Sequence, residues 1–184
     1  EGLSKIFYEI ELPLIPVIAL MEKNGIKIDR ELLNEIKTRL EKDIDKIERE
    51  VRTVVGKQIN LNSPKQLLEF FQKRGHKIKS TGAEKLDKIK ESEPITEKIL
   101  KYRELFKLKT TYLDGMEKLI EKDGKIHPNF LQLGAATGRM SCQNPNLQNI
   151  PQESEWSKEI RNAFVPKTGS LLVSFDYSQI ELRV

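Results

Sequence analysis

The apolar positions of this chain keep a helical rhythm for most of its length and change character only near the end. Residues 3–24 are largely apolar and predict a helix that Pro13 and Pro16 kink or restart, with Gly25 ending it. Asp29 offers a capping side chain for the next element. From there Leu33, Ile36, Leu40, Ile44, Ile47, Val51 and Val54 recur at spacings of three and four. That stripe predicts a helix of roughly 25 residues, about 38 Å long at ~1.5 Å per residue, stopped by Gly56. Its opposite face is Glu, Lys and Arg, so the stripe requires a partner helix. A second long helix, from about Pro94 to Ile120, is the natural antiparallel partner, with Ile95, Ile99, Tyr102, Phe106, Leu113, Met116 and Ile120 inward.

Between them lie two short helices. Ser63 is placed to cap the first, Pro64 fits its first turn and Gln66 completes a capping box. Leu67, Leu68, Phe70 and Phe71 form its core side, and Gly75 closes it. Thr81-Gly82-Ala83-Glu84 repeats the logic. Each start either only begins a helix or offers free backbone N–H groups to phosphates, beside Lys65, Lys77, Lys79 and Lys85. On the second long helix Arg103, Lys107, Thr110, Thr111 and Asp114 fall at helical offsets and predict one stripe. It reads as a solvated face or as a row of phosphate contacts.

Past the helices, Asp123-Gly124 predicts a hairpin turn and Ile126 to Leu133 a strand. Gly134 to Arg139 is rich in small residues, which permit close backbone approach. The amide-rich loop that follows, with Gln143, Asn144, Asn146, Gln148 and Asn149, reads as a self-capping surface loop or as a set of hydrogen-bond donors. Trp156, Ile160 and Phe164 suggest a short packed helix. Leu171 to Phe175 predicts a buried strand that delivers Asp176 at its carboxyl end, and Ser178-x-x-Glu181 a capping box opening a helix. Asp176 is either a strand-end turn residue or a ligand for a hard cation.

Composition narrows the class. With 38% hydrophobic and 33% charged residues, the 184-residue chain can bury a core, and no apolar run is long enough to span a bilayer. Cys142 stands alone and cannot form an internal disulfide, which fits a reducing cytosol; with His76 and His127 it makes no zinc set. Net charge is +4, unevenly placed: Lys57 to Thr110 carries 14 Lys+Arg against 7 Asp+Glu, the remainder 18 against 21. A basic middle between near-neutral ends suits a polyanion, or a lysine-rich solvated surface. Arg139, Asn146, Gln148 and Asn149 are donors suited to the minor groove, where purine N3 and pyrimidine O2 accept at similar places in every correct base pair. Such donors test pair shape and ignore sequence.

The run Phe175-Asp176-Tyr177-Ser178-Gln179-Ile180-Glu181-Leu182-Arg183 resembles the first palm motif of family A DNA polymerases, the bacterial DNA polymerase I group. So do Thr137-Gly138-Arg139-Met140-Ser141 and Asn144-Pro145-Asn146-Leu147-Gln148-Asn149-Ile150-Pro151, in the same order and spacing. Weaker similarity extends through Lys101-Tyr102-Arg103-Glu104-Leu105 and Asn60-Leu61-Asn62-Ser63 over essentially the whole chain. The resemblance implies an α+β fold: a long antiparallel helical thumb followed by the start of an antiparallel-sheet palm. It divides the chain into 1–25 at the palm and thumb base, 26–122 as thumb with a basic tip at about 57–90, and 123–184 as first palm segment.

The resemblance further implies that Asp176 binds two Mg²⁺ ions, with the Tyr177 backbone carbonyl helping to hold one. Ser178, Gln179, Ile180 and Glu181 belong to the nucleotide pocket, Glu181 crowding the 2′ position of the incoming sugar. Arg103, Lys107, Thr110, Thr111, Tyr112, Ser63 and Lys65 join Arg139, Asn146, Gln148 and Asn149 as DNA contacts. Expected partners are primer-template duplex, dNTPs and the remaining polymerase segment, with no membrane and a cytoplasmic, nucleoid-associated location. The sequence departs from the family pattern at Glu153, where the family has arginine, at Leu131, Leu133 and Ala135, and at Cys142. The fingers helix, the second palm carboxylate motif and a proofreading carboxylate set are absent from these residues, so the 184 residues alone are expected to be inactive. A non-enzymatic, sequence-independent duplex-binding module would use the basic tip and amide loop but not Asp176. A nuclease would need a denser acidic cluster.

Overall fold

The computed structural model describes residues 2–150 and 154–183, residue 181 by its backbone. It is an α+β structure whose first element is a helical rod made of α1 (Leu3–Ile6), a π-helical turn (Phe7–Glu11) and α2 (Leu12–Asn24). Pro13 cannot donate to a carbonyl one turn back, and the backbone widens just ahead of it instead of breaking. Gly25 ends the rod at φ 57°, where a Cβ would meet the Ile126 carbonyl oxygen at 2.7 Å and the His127 ring at 2.8 Å. Only glycine lets the chain turn there against its neighbour.

The turn leads into β1 (Ile26–Ile28), too short for a periodicity signal, which forms the centre of a three-stranded antiparallel sheet. Lys27 pairs with Lys125 of β2 (Lys125–Ile126) on one side and with Val165 of β5 (Phe164–Val165) on the other. The sheet therefore joins residues from both sides of position 122. Asp29 caps α3 (Arg30–Val55), its carboxylate accepting from the Leu32 N–H at 3.0 Å.

The stripe of α3 is buried at Leu33, Ile36, Leu40, Ile44, Val51 and Val55. Val54, assigned to it from spacing, is 46% exposed instead. The steps of four that run down the face select Val55, one position on. The partner of α3 is interrupted: α6 (Ile95–Lys107), a π-helical turn (Leu108–Leu113) and α7 (Asp114–Leu119) replace the single helix expected from Pro94 to Ile120. The wide turn brings Leu108, Tyr112 and Leu113 all inward. It also resets the register of the expected Arg103-to-Asp114 stripe, because the i→i+5 hydrogen bonds of a π turn add a residue to the spacing of stacked positions. Each fully buried Leu, Ile or Phe contributes roughly 1.5–3 kcal/mol of transfer free energy, so the seam between α3 and α6 dominates the core.

At the far end sit α4 (Pro64–Lys73) and α5 (Ala83–Asp87), with Leu67, Phe71 and Leu86 buried between them and the shaft. Ser63 caps α4 as expected, accepting from the Gln66 N–H, but the Gln66 side chain reaches past Ser63 to the N–H of Asn60 at 2.6 Å. The cap of α5 is Gly82; Thr81 is buried and bonds to the Pro64 carbonyl and to Arg103.

The Asp123-Gly124 turn does not join two strands of one hairpin: β2 pairs with β1, and Ile28 donates to the Gly124 carbonyl at 3.1 Å. Buried Pro128 separates β2 from β3 (Asn129–Leu131), so the single strand from Ile126 to Leu133 is two. β3 pairs with β4 (Ser141–Gln143), Phe130 opposite Cys142. A 3₁₀ turn (Leu147–Asn149) follows, then α8 (Glu155–Asn162), capped by Ser154. Phe164 lies in β5, not on a helix with Trp156 and Ile160.

The largest correction concerns residues 171–175. They form no strand and are exposed, Leu171 at 86% and Phe175 at 92%. An apolar run becomes a strand only when its N–H and C=O groups find a ladder, and none of the five described strands pairs with it. The capping box at Ser178 is likewise replaced by a short 3₁₀ turn (Ile180–Leu182) entered through Gln179 at φ 52°, with no side-chain cap.

Candidate nucleic-acid interface

The structure sorts the basic residues of the middle region into struts and free cations. Lys85 and Lys88 pair with Glu84, Lys90 with Asp87, Lys98 with Glu50 and Lys101 with Glu104, all at 2.7–3.1 Å. Lys109 lies between Asp114 at 2.8 Å and Glu41 at 3.3 Å. Lys37 reaches the same Asp114 and Glu117, each at 2.8 Å, and those bonds raise its pKa. Burial alone would raise the Asp114 pKa, but the bonds from Lys109 and Lys37 outweigh it and hold the carboxyl low. Among the described residues of this region, Lys57, Lys65, Lys73, Lys77, Lys79 and Lys107 have no ion-pair partner, and all six are exposed. They are the cations of this region available to an outside polyanion.

Arg103 is a strut of another kind. Its Nε donates to the Leu61 carbonyl at 3.1 Å, Nη1 to the Thr81 carbonyl at 2.7 Å and Nη2 to the Thr81 hydroxyl at 3.3 Å. One guanidinium thus ties the approaches to α4 and α5 to the shaft, and burial pulls its pKa down. A third tie was not visible in the sequence. Glu93, buried, accepts from Arg74 at 2.6 Å and meets His76 Nε2 at 3.1 Å. The Arg74 hydrogen bond holds its carboxyl below the usual range against the opposing effect of burial.

Around the amide loop, Asn146 and Asn149 have exposed side chains, and Gln148 Nε2 donates to the Met140 carbonyl at 3.0 Å. Arg139 is exposed on the turn-rich connection between β3 and β4. Tyr112 is not at the surface: it is 4% exposed and its hydroxyl donates to the Asn149 carbonyl. Thr110 donates to the Phe106 carbonyl at 2.9 Å, while Thr111 is exposed. Asp176, Tyr177, Ser178, Gln179 and Ile180 are exposed, and Arg183 donates to the Ser178 carbonyl at 3.1 Å. The expectations for Glu153 and for the Glu181 side chain lie outside the described residues.

The profile of DNA polymerase family A matches residues 30–184. The chain belongs to DNA polymerase family A. It is similar to DNA polymerase I of Borreliella burgdorferi, 43% identical over 192 residues, covering 100% of this chain and 21% of that protein. The thermostable DNA polymerase I of Thermus filiformis is 42% identical over 197 residues, covering 100% of this chain and 23% of that one. Among solved structures, the POL domain of Pol1 from M. smegmatis, in complex with DNA primer-template and dNTP, matches with a TM-score of 0.88 and 36% identity. That match covers 97% of this chain and 33% of the other. The family A chain therefore spans about a fifth of the length of the curated relatives it matches.

Within this family A segment the metal expectation meets a geometric limit. Mg²⁺ requires near-octahedral oxygen ligation. Among the described residues no three of His, Cys, Asp and Glu converge, and Asp176 with the Tyr177 carbonyl offers only part of a donor set. These residues do not by themselves make a magnesium site. No helix among the described residues is long and apolar enough to cross a membrane.

Proposed function

We propose that this chain is the segment of a DNA-directed DNA polymerase that grips the primer-template duplex and carries one carboxylate of its nucleotidyl-transfer site. The observation that carries the reading is the family match running unbroken through the basic helices, the amide loop and Asp176. Support also comes from a neighbour that holds primer-template and dNTP and superposes over nearly the whole chain. In this reading residues 1–25 form the base between palm and thumb, 26–122 the thumb with its tip at about 57–90, and 123–184 the first palm segment. The segment works in the cytoplasm, on the nucleoid.

Each group then has a chemical task. Lys65, Lys77, Lys79 and Lys107 neutralise backbone phosphates, a contact that fixes position without reading sequence. Arg139, Asn146 and Asn149 present donors to the minor-groove edge, whose acceptors stand in place only for correctly shaped pairs. Family A polymerases are two-metal enzymes; Asp176 supplies one ligand to Mg²⁺, and the other ligands and the dNTP-binding cations come from elsewhere in the polymerase. Exposure of Leu171, Val173 and Phe175 fits a strand that completes a sheet with those other parts.

The test uses the polymerase that carries this segment. Asp176→Ala is expected to abolish dNTP incorporation while leaving duplex affinity and melting temperature unchanged, since the side chain is exposed and has no hydrogen-bond or ion-pair partner among the described residues. Undiminished incorporation by that variant would refute the reading in favour of a duplex-binding module.

A further inference from the structure

The amide loop is held by its backbone from two directions. From the long shaft, the Tyr112 hydroxyl donates to the carbonyl of Asn149. From α8, Arg161 Nη2 donates to the carbonyl of Ile150 at 3.0 Å. The two acceptors are consecutive, and Ile150 itself is buried, with Leu147 packed against the core. Among the described residues the side chains of Asn146 and Asn149 have no hydrogen-bond partner. The scaffold thus binds the loop through its main chain and leaves these two amides to face outward. Tyr112 reaches the loop because the π turn carries it and Leu113 inward together. Wide turns of this kind recur at functional positions.

We infer that Tyr112 and Arg161 are positioning residues for primer-end discrimination: they clamp adjacent carbonyls so that the amides of the loop meet the minor groove in one fixed register. The inference rests on the reading of the loop as a minor-groove sensor. It also links two parts of the segment. The shaft that bears Lys107 on its surface carries, five residues on, the hydroxyl that sets the loop.

Removing either donor loosens the loop without touching the free lysines of the middle region. In the polymerase carrying the segment, Tyr112→Phe keeps the ring and deletes only the hydroxyl; Arg161→Gln shortens the other clamp. The readouts are duplex affinity at several salt concentrations, kcat and KM for matched ends, and the ratio of matched to mismatched primer extension. Both variants should keep the salt slope and duplex affinity of the parent. Each should lose about fivefold in the matched-to-mismatched ratio, the worth of one net hydrogen bond. The double variant should lose less than the product of the two, since both act on one loop.

Asn149→Ala serves as control for the underlying reading. If it leaves discrimination intact, the loop is no sensor and that reading falls. If Asn149→Ala lowers discrimination while Tyr112→Phe and Arg161→Gln match the parent, the positioning inference alone is overturned. A fall in melting temperature with discrimination preserved also overturns it, since that is what a merely structural tie would give.

Discussion

Arg103 separates two explanations of the same residue type. A phosphate contact and an internal strut both call for a cation on this helix, but they fail differently when it is removed. Replacing Arg103 by Met keeps the stem and deletes the guanidinium. The carbonyls of Leu61 and Thr81 lose their donors at 3.1 and 2.7 Å; the third bond, at 3.3 Å to the Thr81 hydroxyl, is long and counts for little. Two bonds to a charged donor are worth about 1.5–3 kcal/mol each, a gross loss of about 3–6 kcal/mol. The parent, however, holds a partly buried cation with no carboxylate beside it among the described residues, and relieving that burial returns a share. A net cost of about 2 kcal/mol for docking the tip remains, roughly thirtyfold in its opening equilibrium.

Amide hydrogen exchange on the polymerase carrying the segment reads this directly. Peptides spanning 60–66 and 81–87 should exchange about thirtyfold faster, while the middle of α3 is unchanged. Duplex binding should weaken, but its dependence on log salt should keep the parental slope, because no phosphate contact is lost. Lys107→Ala should do the reverse: exchange unchanged and the slope reduced by about 0.9. Should Arg103→Met leave exchange at the tip untouched and cut the salt slope by that amount, the strut argument is wrong.

Three further outcomes follow from the same structure. Phe71 is fully buried at the tip between Phe70 and His76, so Phe71→Ala should destabilise the tip by about 3–5 kcal/mol, measured by local exchange; a cost below about 1 kcal/mol would mean the tip has no core of its own. His127 is bonded to the Glu22 carbonyl at 2.8 Å and to Asp123 at 3.1 Å, and these raise its pKa above 6.5. Its contribution is therefore complete below pH 6.5 and lost as pH rises through the higher folded value. The melting-temperature gap between parent and His127→Gln should shrink on that rise, and a gap that widened with pH would reverse the assignment. Asp114 works with the opposite sign: its lowered pKa means that Asp114→Asn should destabilise near neutrality and become indistinguishable from the parent well below pH 3.8 in thermal melts.

How much of this was legible without coordinates depends on the range of the interaction. The helices of the shaft, their caps at Asp29 and Ser63 and the stops at Gly25 and Gly56 are written in neighbours three or four residues apart. Local sterics and one-turn hydrogen bonds determine them, so periodicity alone reached them. The family was legible for a related reason. The motifs around Arg139, Asn149 and Asp176 are contiguous runs, readable without coordinates, and the family match spans all three.

Tertiary structure alone decided which charges are available. Arg103 and Lys107 are four apart on one helix and look equivalent in sequence, yet one is bound to carbonyls 22 and 42 positions away and the other is exposed. Tyr112 turned inward because a π turn adds a residue to the register, which no apolar count foretold. Val173 and Phe175 have a strand's composition, yet none of the described strands pairs with them, since pairing is a property of two segments and not of one. Short-range physics wrote the helices and the motifs; the free or committed state of each side chain depends on partners that only the folded chain brings within 3 Å.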